Sequence, residues 1–168
     1  MPLELEAKVR VDDHEPVRTR LVDAGATRVK RVHEVNTYLR LDDPYSGLRV
    51  RHETDEAGKA RVRVTYKGPR QPGKFKQREE IEYDASEADA AIALFGKLGR
   101  EPSLVFEKDR ETFTLDGCEV VLDHIEQLGH FVEVEGPDEA TVIRVLQTLN
   151  LDRHESLTEG YASMLARA

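Results

Sequence analysis

The chain has 168 residues, a formal net charge of −8 and 35% charged residues. That length suits one domain with a core of its own, so residues 1–168 are expected to fold as one unit. The acidic balance disfavours a surface that coats nucleic acid. No apolar run approaches the roughly 18 residues of a membrane span, and MPLELEAKVR lacks the apolar stretch of a signal peptide, so a soluble cytoplasmic protein without membrane contact is expected.

Taken in chain order, most segments alternate with a period of two, the pattern of strands with one apolar and one polar face. Strands are predicted at about 2–11, 34–41, 47–54, 60–68, 75–84, 104–115, 118–125 and 130–135. Turn chemistry separates them: Asp42-Asp43-Pro44, Glu56-Ala57-Gly58-Lys59 and the tight Asp116-Gly117 pair. Helices are predicted near 13–24, stopped by Gly25, and near 87–98, opened by Ser86-x-x-Asp89 and stopped by Gly99. A third starts at Pro137 and carries Val142, Val145, Leu146 and Leu149; a fourth places Tyr161, Met164 and Leu165 at helical spacing. Gly68-Pro69-Arg70-Gln71-Pro72-Gly73 is the flexible stretch and a candidate lid.

Charge is sorted along these strands. Glu4, Glu6 and Lys8 share a face opposite Leu3, Leu5, Ala7 and Val9. Arg49 and Arg51 alternate with Leu48 and Val50; Arg61, Arg63 and Lys67 with Val62, Val64 and Tyr66. Lys76 and Arg78 share a face with Glu80, Lys108 pairs with Arg110, Asp123 lies opposite Leu122, and Glu133 and Glu135 alternate with Val132 and Val134. Alternation alone leaves two readings: solvent faces of an ordinary sheet, or the lumen of a barrel whose apolar outside is covered by the helices. A lumen of that composition is too costly to desolvate unless water, metal or a charged ligand fills it. Carboxylates without paired Cys or His suit Mg²⁺ or Mn²⁺, and arginine forks and lysine ammonium groups suit phosphate oxygens.

The ordered set Glu4-x-Glu6-x-Lys8, NTYLRLDD with Tyr38, LRVR at 48–51, YKGP at 66–69, EKDR at 107–110 and LDHIEQLGHFVEVE at 122–135 resembles the CYTH domain, the triphosphate tunnel metalloenzymes, over nearly the whole chain. Class IV adenylate cyclases (CyaB-like), thiamine triphosphatases and inorganic triphosphatases belong to that superfamily. The resemblance implies an α+β fold, an eight-stranded closed antiparallel β-barrel with a charged lumen and helices packed outside. It implies Glu4, Glu6, Asp123, Glu133 and Glu135 as ligands for Mg²⁺ or Mn²⁺, with Glu80 in support. Lys8, Arg49, Arg51, Lys67, Arg78, Lys108 and Arg110 match phosphate-contacting positions, and Glu4, Glu6, Lys8 and Arg110 are the implied catalytic set. Arg61, Arg63 and Lys76 match no motif and are expected at the surface or rim. Gly160 stands where relatives carry a serine before Tyr161, which weakens any role for the terminal segment.

By the same resemblance the partner is a small triphosphate: ATP, tripolyphosphate or thiamine triphosphate. KGP at 67–69 and the DHIEQLGHF run point to the cyclase branch, ATP to cAMP and pyrophosphate, with triphosphate hydrolysis as the alternative and a non-catalytic polyphosphate or nucleotide sensor as the third. Cys118 reads as a buried filler, His124 and His130 as hairpin or lumen residues, Phe106 and Phe131 as core. A homodimer is expected only because symmetric dimers are common.

Overall fold

The computed structural model describes residues 3–168, with side chains from residue 5 onward. Its elements run β1 (Leu3–Val11), α1 (Glu15–Asp23), β2 (Thr27–Leu39), β3 (Gly47–Asp55), β4 (Ala60–Lys67), β5 (Lys76–Ala85), α2 (Ala88–Lys97), β6 (Pro102–Leu115), β7 (Cys118–Ile125), β8 (Gly129–Gly136), α3 (Glu139–Thr148) and α4 (Tyr161–Arg167). The eight strands close into an antiparallel barrel in the order β1-β5-β4-β3-β2-β6-β7-β8, with β8 returning to β1. The fold is α+β, as the alternation and the resemblance imply.

Local chemistry sets the corners. Asp116 and Gly117 both adopt positive φ (50° and 79°), the geometry that lets a two-residue turn match strand twist between β6 and β7. Between β3 and β4, Asp55 Oδ1 accepts from the backbone N–H groups of Ala57 and Lys59, each at 2.9 Å. Asp138 caps α3 by accepting from the Thr141 N–H at 2.8 Å. The Ser86 capping signature does not form: Glu87 is the residue that precedes α2, and its side chain makes no capping bond.

The apolar strand faces turn outward; those of β1, β3, β4, β7 and β8 are covered, while Ile81 and Tyr83 of β5 and Val105 of β6 stay exposed. Ala7, Val9, Val120, Leu122, Val132 and Val134 pack with Val17 and Leu21 of α1 and Val142, Val145 and Leu146 of α3. Gly136 permits the close approach of α3, since a Cβ there would meet Cys118 Sγ at 2.7 Å and Val142 Cγ2 at 2.8 Å. Cys118 is buried in this layer, where desolvation pushes its thiol pKa up, as befits a packing residue. A second cluster joins Val50, Val62 and Val64 to Ile92 and Phe95 of α2. With these helices outside, the charged faces have only the interior left.

β2 begins seven residues earlier than its sequence pattern predicts. Thr27–His33 carries Arg28, Lys30 and Arg31, which hide the strand, but a long β6 supplies partners for it across a register shift between Arg28 and Lys30. Arg28 then reaches Glu111 (2.8 Å) and Glu56 (2.9 Å). Tertiary pairing overrides a weak local signal here.

One end of the barrel is roofed from within. Tyr161 and Met164 of α4 pack against Phe106, Ile125 and Phe131, the inward residues at that end. Phe106 and Phe131 are core residues of this plug, not of the outer layer. The segment leading to α4 is tied to β1, where the Lys8 carbonyl accepts from the Leu157 N–H at 2.7 Å.

Candidate functional site

The interior encloses a cavity of about 250 Å³ whose wall is almost entirely ionic. Among the described residues nine cations line it, Lys8 from β1, Arg49 and Arg51 from β3, Arg63 and Lys67 from β4, Lys76 and Arg78 from β5, and Lys108 and Arg110 from β6. Six carboxylates face them: Glu6, Glu80, Glu82, Glu119, Glu133 and Glu135. Strand parity produces this wall, because each is an alternate residue of a strand whose other face turns outward.

Arg110 is the most firmly held cation. Its Nε donates to Asp123 Oδ1 at 2.7 Å, and its Nη2 reaches Asp123 Oδ2 at 2.6 Å and Glu133 Oε2 at 2.8 Å. Lys108 reaches the same Asp123 at 3.1 Å, and the Tyr161 hydroxyl donates to it at 2.9 Å. Asp123 is wholly buried, and burial raises its pKa, yet Arg110 and Lys108 outweigh that and keep it below the usual carboxylate value. Burial and the Asp123 charge hold the Tyr161 phenol far above its ordinary pKa, so it stays a donor. Asp123 thus anchors two cations, while Glu6, Glu133 and Glu135 are the candidate metal ligands whose side chains border the open space. The Glu4 side chain lies outside the described residues; its backbone sits opposite Arg78.

Glu133 also meets Lys8 at 3.3 Å, and Glu6 accepts from Lys76 at 3.0 Å. Burial and Glu133 push the Glu6 pKa up, but Lys76, Lys8 and Lys67 hold it below its ordinary value. Across the lumen Lys67 pairs with Glu80, and Arg78 stands 3.7 Å from the same carboxylate. Burial and Arg49 bring the Lys67 ammonium down to about 8, Glu80 opposing them. Burial resists ionisation of Tyr38, but Arg49, Lys67, Arg51 and Lys76 bring its phenol down to about 8 as well.

Several residues emerge here that the motifs do not name. Glu34 is fully buried and meets Arg51 at 3.1 Å and Lys108 at 3.5 Å, cations that hold its carboxyl far below the ordinary range against the opposing effect of burial. Its signal was present: Glu34, Asn36 and Tyr38 share one period-two face. Glu119 lies opposite Glu135, which in turn lies opposite Glu6, so three carboxylates from β7, β8 and β1 are neighbours in register. Like charges placed directly across strands repel, although among the described residues no three such side chains are grouped closely enough to hold a metal ion as they stand. Lys76 and Arg63 were expected at the surface or rim. Lys76 is instead buried in the lumen wall and Arg63 lines it, because both fall on the inward parity of their strands. Arg61 does lie at the surface, paired with Asp84 at 3.0 Å. Tyr161 stands in the site despite the glycine before it, its ring under the ammonium groups of Lys8 (3.9 Å) and Lys108 (5.0 Å). His124 and His130 stack on each other and His130 meets His14 edge-on, away from the tunnel wall.

The CYTH domain model matches residues 2–161. The chain belongs to the CYTH family. A candidate adenylate cyclase of Methanocaldococcus jannaschii is 29% identical over 96% of this chain and 98% of its own length. Among solved structures, a Pyrococcus horikoshii protein superposes with a TM-score of 0.83 at 23% identity, covering 95% of this chain and 98% of its own. A Hippeastrum protein described as a candidate adenylyl cyclase with a dominant triphosphatase activity gives 0.74 at 15% identity, covering 99% and 96%. At such identities these two likenesses speak for the CYTH fold. In this CYTH chain no helix among the described residues is long and apolar enough to cross a membrane.

Proposed function

We propose that the tunnel binds a triphosphate with a divalent metal, Mg²⁺ or Mn²⁺, and that the protein is an enzyme of the class IV adenylate cyclase type, converting ATP to cAMP and pyrophosphate. The observation that carries the triphosphate reading is the lumen itself: among the described residues, nine cations and six carboxylates around one cavity. Cations alone would suit any anion; Glu6, Glu119, Glu133 and Glu135, which border the same cavity, are oxygen donors of the kind a hard metal would draw together, and the family motif adds Glu4. The bound metal would neutralise charge that develops on the departing pyrophosphate.

The chain's own residues position the substrate. Arg110, fixed by Asp123 and Glu133, presents its fork without reorganising; Lys8, Arg49, Arg51, Lys67, Arg78 and Lys108 distribute the remaining positive charge along the phosphates. In the cyclase reading the ribose 3′-hydroxyl oxygen bonds to the α-phosphorus as the α–β bridging oxygen leaves with pyrophosphate, and the hydroxyl proton is released to water. The cyclase branch is favoured by KGP at 67–69, by DHIEQLGHF and by the Methanocaldococcus relative's name. Hydrolysis of tripolyphosphate or thiamine triphosphate is the second reading, favoured by the activity attributed to the Hippeastrum protein. Purified protein incubated with each triphosphate and Mg²⁺ or Mn²⁺ separates them: cAMP with pyrophosphate marks the cyclase, orthophosphate the hydrolase. Metal-dependent binding without turnover of any would overturn both and leave a sensor. Glu6→Gln is expected to abolish metal-dependent turnover while the thermal midpoint stays within a few degrees.

A further inference from the structure

Two carboxylates inside the barrel do not border the cavity, yet they hold cations that do. Glu34 of β2 and Asp123 of β7 are both wholly buried. Lys108 is shared between them, 3.1 Å from Asp123 Oδ2 and 3.5 Å from Glu34 Oε2. The same Glu34 oxygen lies 3.1 Å from Arg51 Nε. Asn36 completes the seat: its amide nitrogen donates to Glu34 Oε2 at 3.4 Å, and its oxygen accepts from Arg51 Nε at 2.8 Å.

Register explains why such a seat is needed. Arg51 lies directly opposite Arg63 across β3 and β4, and Arg49 shares its inward face two residues earlier. Cations so placed repel one another unless an anion fixes them. A carboxylate standing in the ligand space would fix them but would also repel a phosphate. Glu34 fixes them from a position the ligand does not reach. Stability does not explain the arrangement, because Glu34 Oε1 has no hydrogen-bond partner among the described residues, its nearest cation being Arg110 Nε at 3.9 Å. A buried oxygen left so costs folding free energy.

We propose that Glu34, steadied by Asn36, is a positioning residue for the triphosphate: it fixes Arg51 and Lys108, and through them the phosphate chain, without touching the ligand. This rests on the triphosphate reading of the tunnel. Glu34 lies outside every motif of the sequence, so its role is visible only in the closed barrel. Its charge makes the role separable from simple attraction. Glu34 opposes anion binding electrostatically while it orders the groups that bind.

Glu34→Gln keeps the volume and removes the charge. Lys108 retains Asp123, and Arg51 retains Asn36 and Glu53 (3.8 Å), so the variant should fold, which a thermal melt checks. Calorimetric titration with tripolyphosphate in the presence of a chelator should show binding as tight as the wild type or tighter, by up to about tenfold, because a buried negative charge is gone. Turnover of ATP or tripolyphosphate with Mg²⁺ or Mn²⁺, whichever the wild type processes, should show kcat reduced by about tenfold or more, because the cations lose their fixed geometry. Should that variant not fold, Glu34→Asp keeps the charge but draws it back by one methylene, and should lower kcat with affinity held within about twofold. An unchanged kcat in the folded variant, a parallel loss of kcat and affinity, or failure of both variants to fold would overturn the positioning role while sparing the tunnel. A wild type that binds no tripolyphosphate, or turns over no triphosphate, would overturn the enzyme reading and the positioning role with it.

Discussion

The outer and inner faces of β1, β7 and β8 come from the same residues taken alternately, yet they answer to different physics. Outside, Ala7, Leu122 and Val132 are packed dry under α1 and α3. Inside, Lys8, Asp123 and Glu133 sit among opposite charges around an open cavity. The outer face gains stability from apolar area removed from water, at about 25 cal/mol per Å². The inner ion pairs gain little net stability, because desolvating each charge offsets most of the attraction. The difference teaches that the lumen is arranged for what enters it, and that the outer wall supports an interior poor in stabilising contacts.

The sharpest break of that comparison is on the inner face. Arg110→Ala should weaken tripolyphosphate binding by about thirtyfold or more, since truncating one partner of a buried hydrogen-bonded charge pair typically costs about 2–5 kcal/mol. Orthophosphate binding should fall far less, and calorimetry on both ligands checks the contrast; equal losses would remove Arg110 from the lumen's function. On the outer face, Leu122→Ala should cost about 2–5 kcal/mol in urea unfolding, from lost transfer energy and a residual cavity. Its tripolyphosphate affinity, measured on folded protein, should stay within about twofold. A large affinity loss there would show that the two faces are not separable.

The smallest effect sharpens the comparison through pH. Lys67 and Tyr38 both have pKa values lowered to about 8. Raising the pH through that value removes a positive charge from the lumen and adds a negative one, so tripolyphosphate affinity should fall by about tenfold between pH 7 and 9. Stability should move the other way. Between about 8 and 10 the unfolded chain holds protons that the folded chain has released at these two groups, so unfolding free energy rises with pH. Lys67→Met should flatten the binding profile, and an unchanged profile would exclude Lys67 from the linkage.

Much of this arrangement was legible in the sequence. Alternation marked the strands, and the ordered motifs, not the alternation, decided that the charged faces point inward. Lys8, Arg49, Arg51, Lys67, Arg78, Lys108, Arg110, Glu6, Glu133 and Glu135 all border one cavity. What stayed hidden depended on long-range closure. Glu34 acquires its partners from β3 and β6, Glu119 its acidic neighbours from β8, and Tyr161 reaches Asp123 across 38 positions of chain. Lys76 had the right parity but no motif to vouch for it. The early half of β2 was hidden because its charges are satisfied by β6 and the β3–β4 turn, which no local window contains.

The seam between β1 and β8 has a kinetic meaning. Closing it sets Ala7 opposite Val134, so nearly the whole chain must be looped before those hydrogen bonds can form. Such non-local pairings form slowly and late in folding. The cavity draws on all eight strands together. No single hairpin contains enough of it to grip a ligand, and the ability to bind arrives only when the ring is complete.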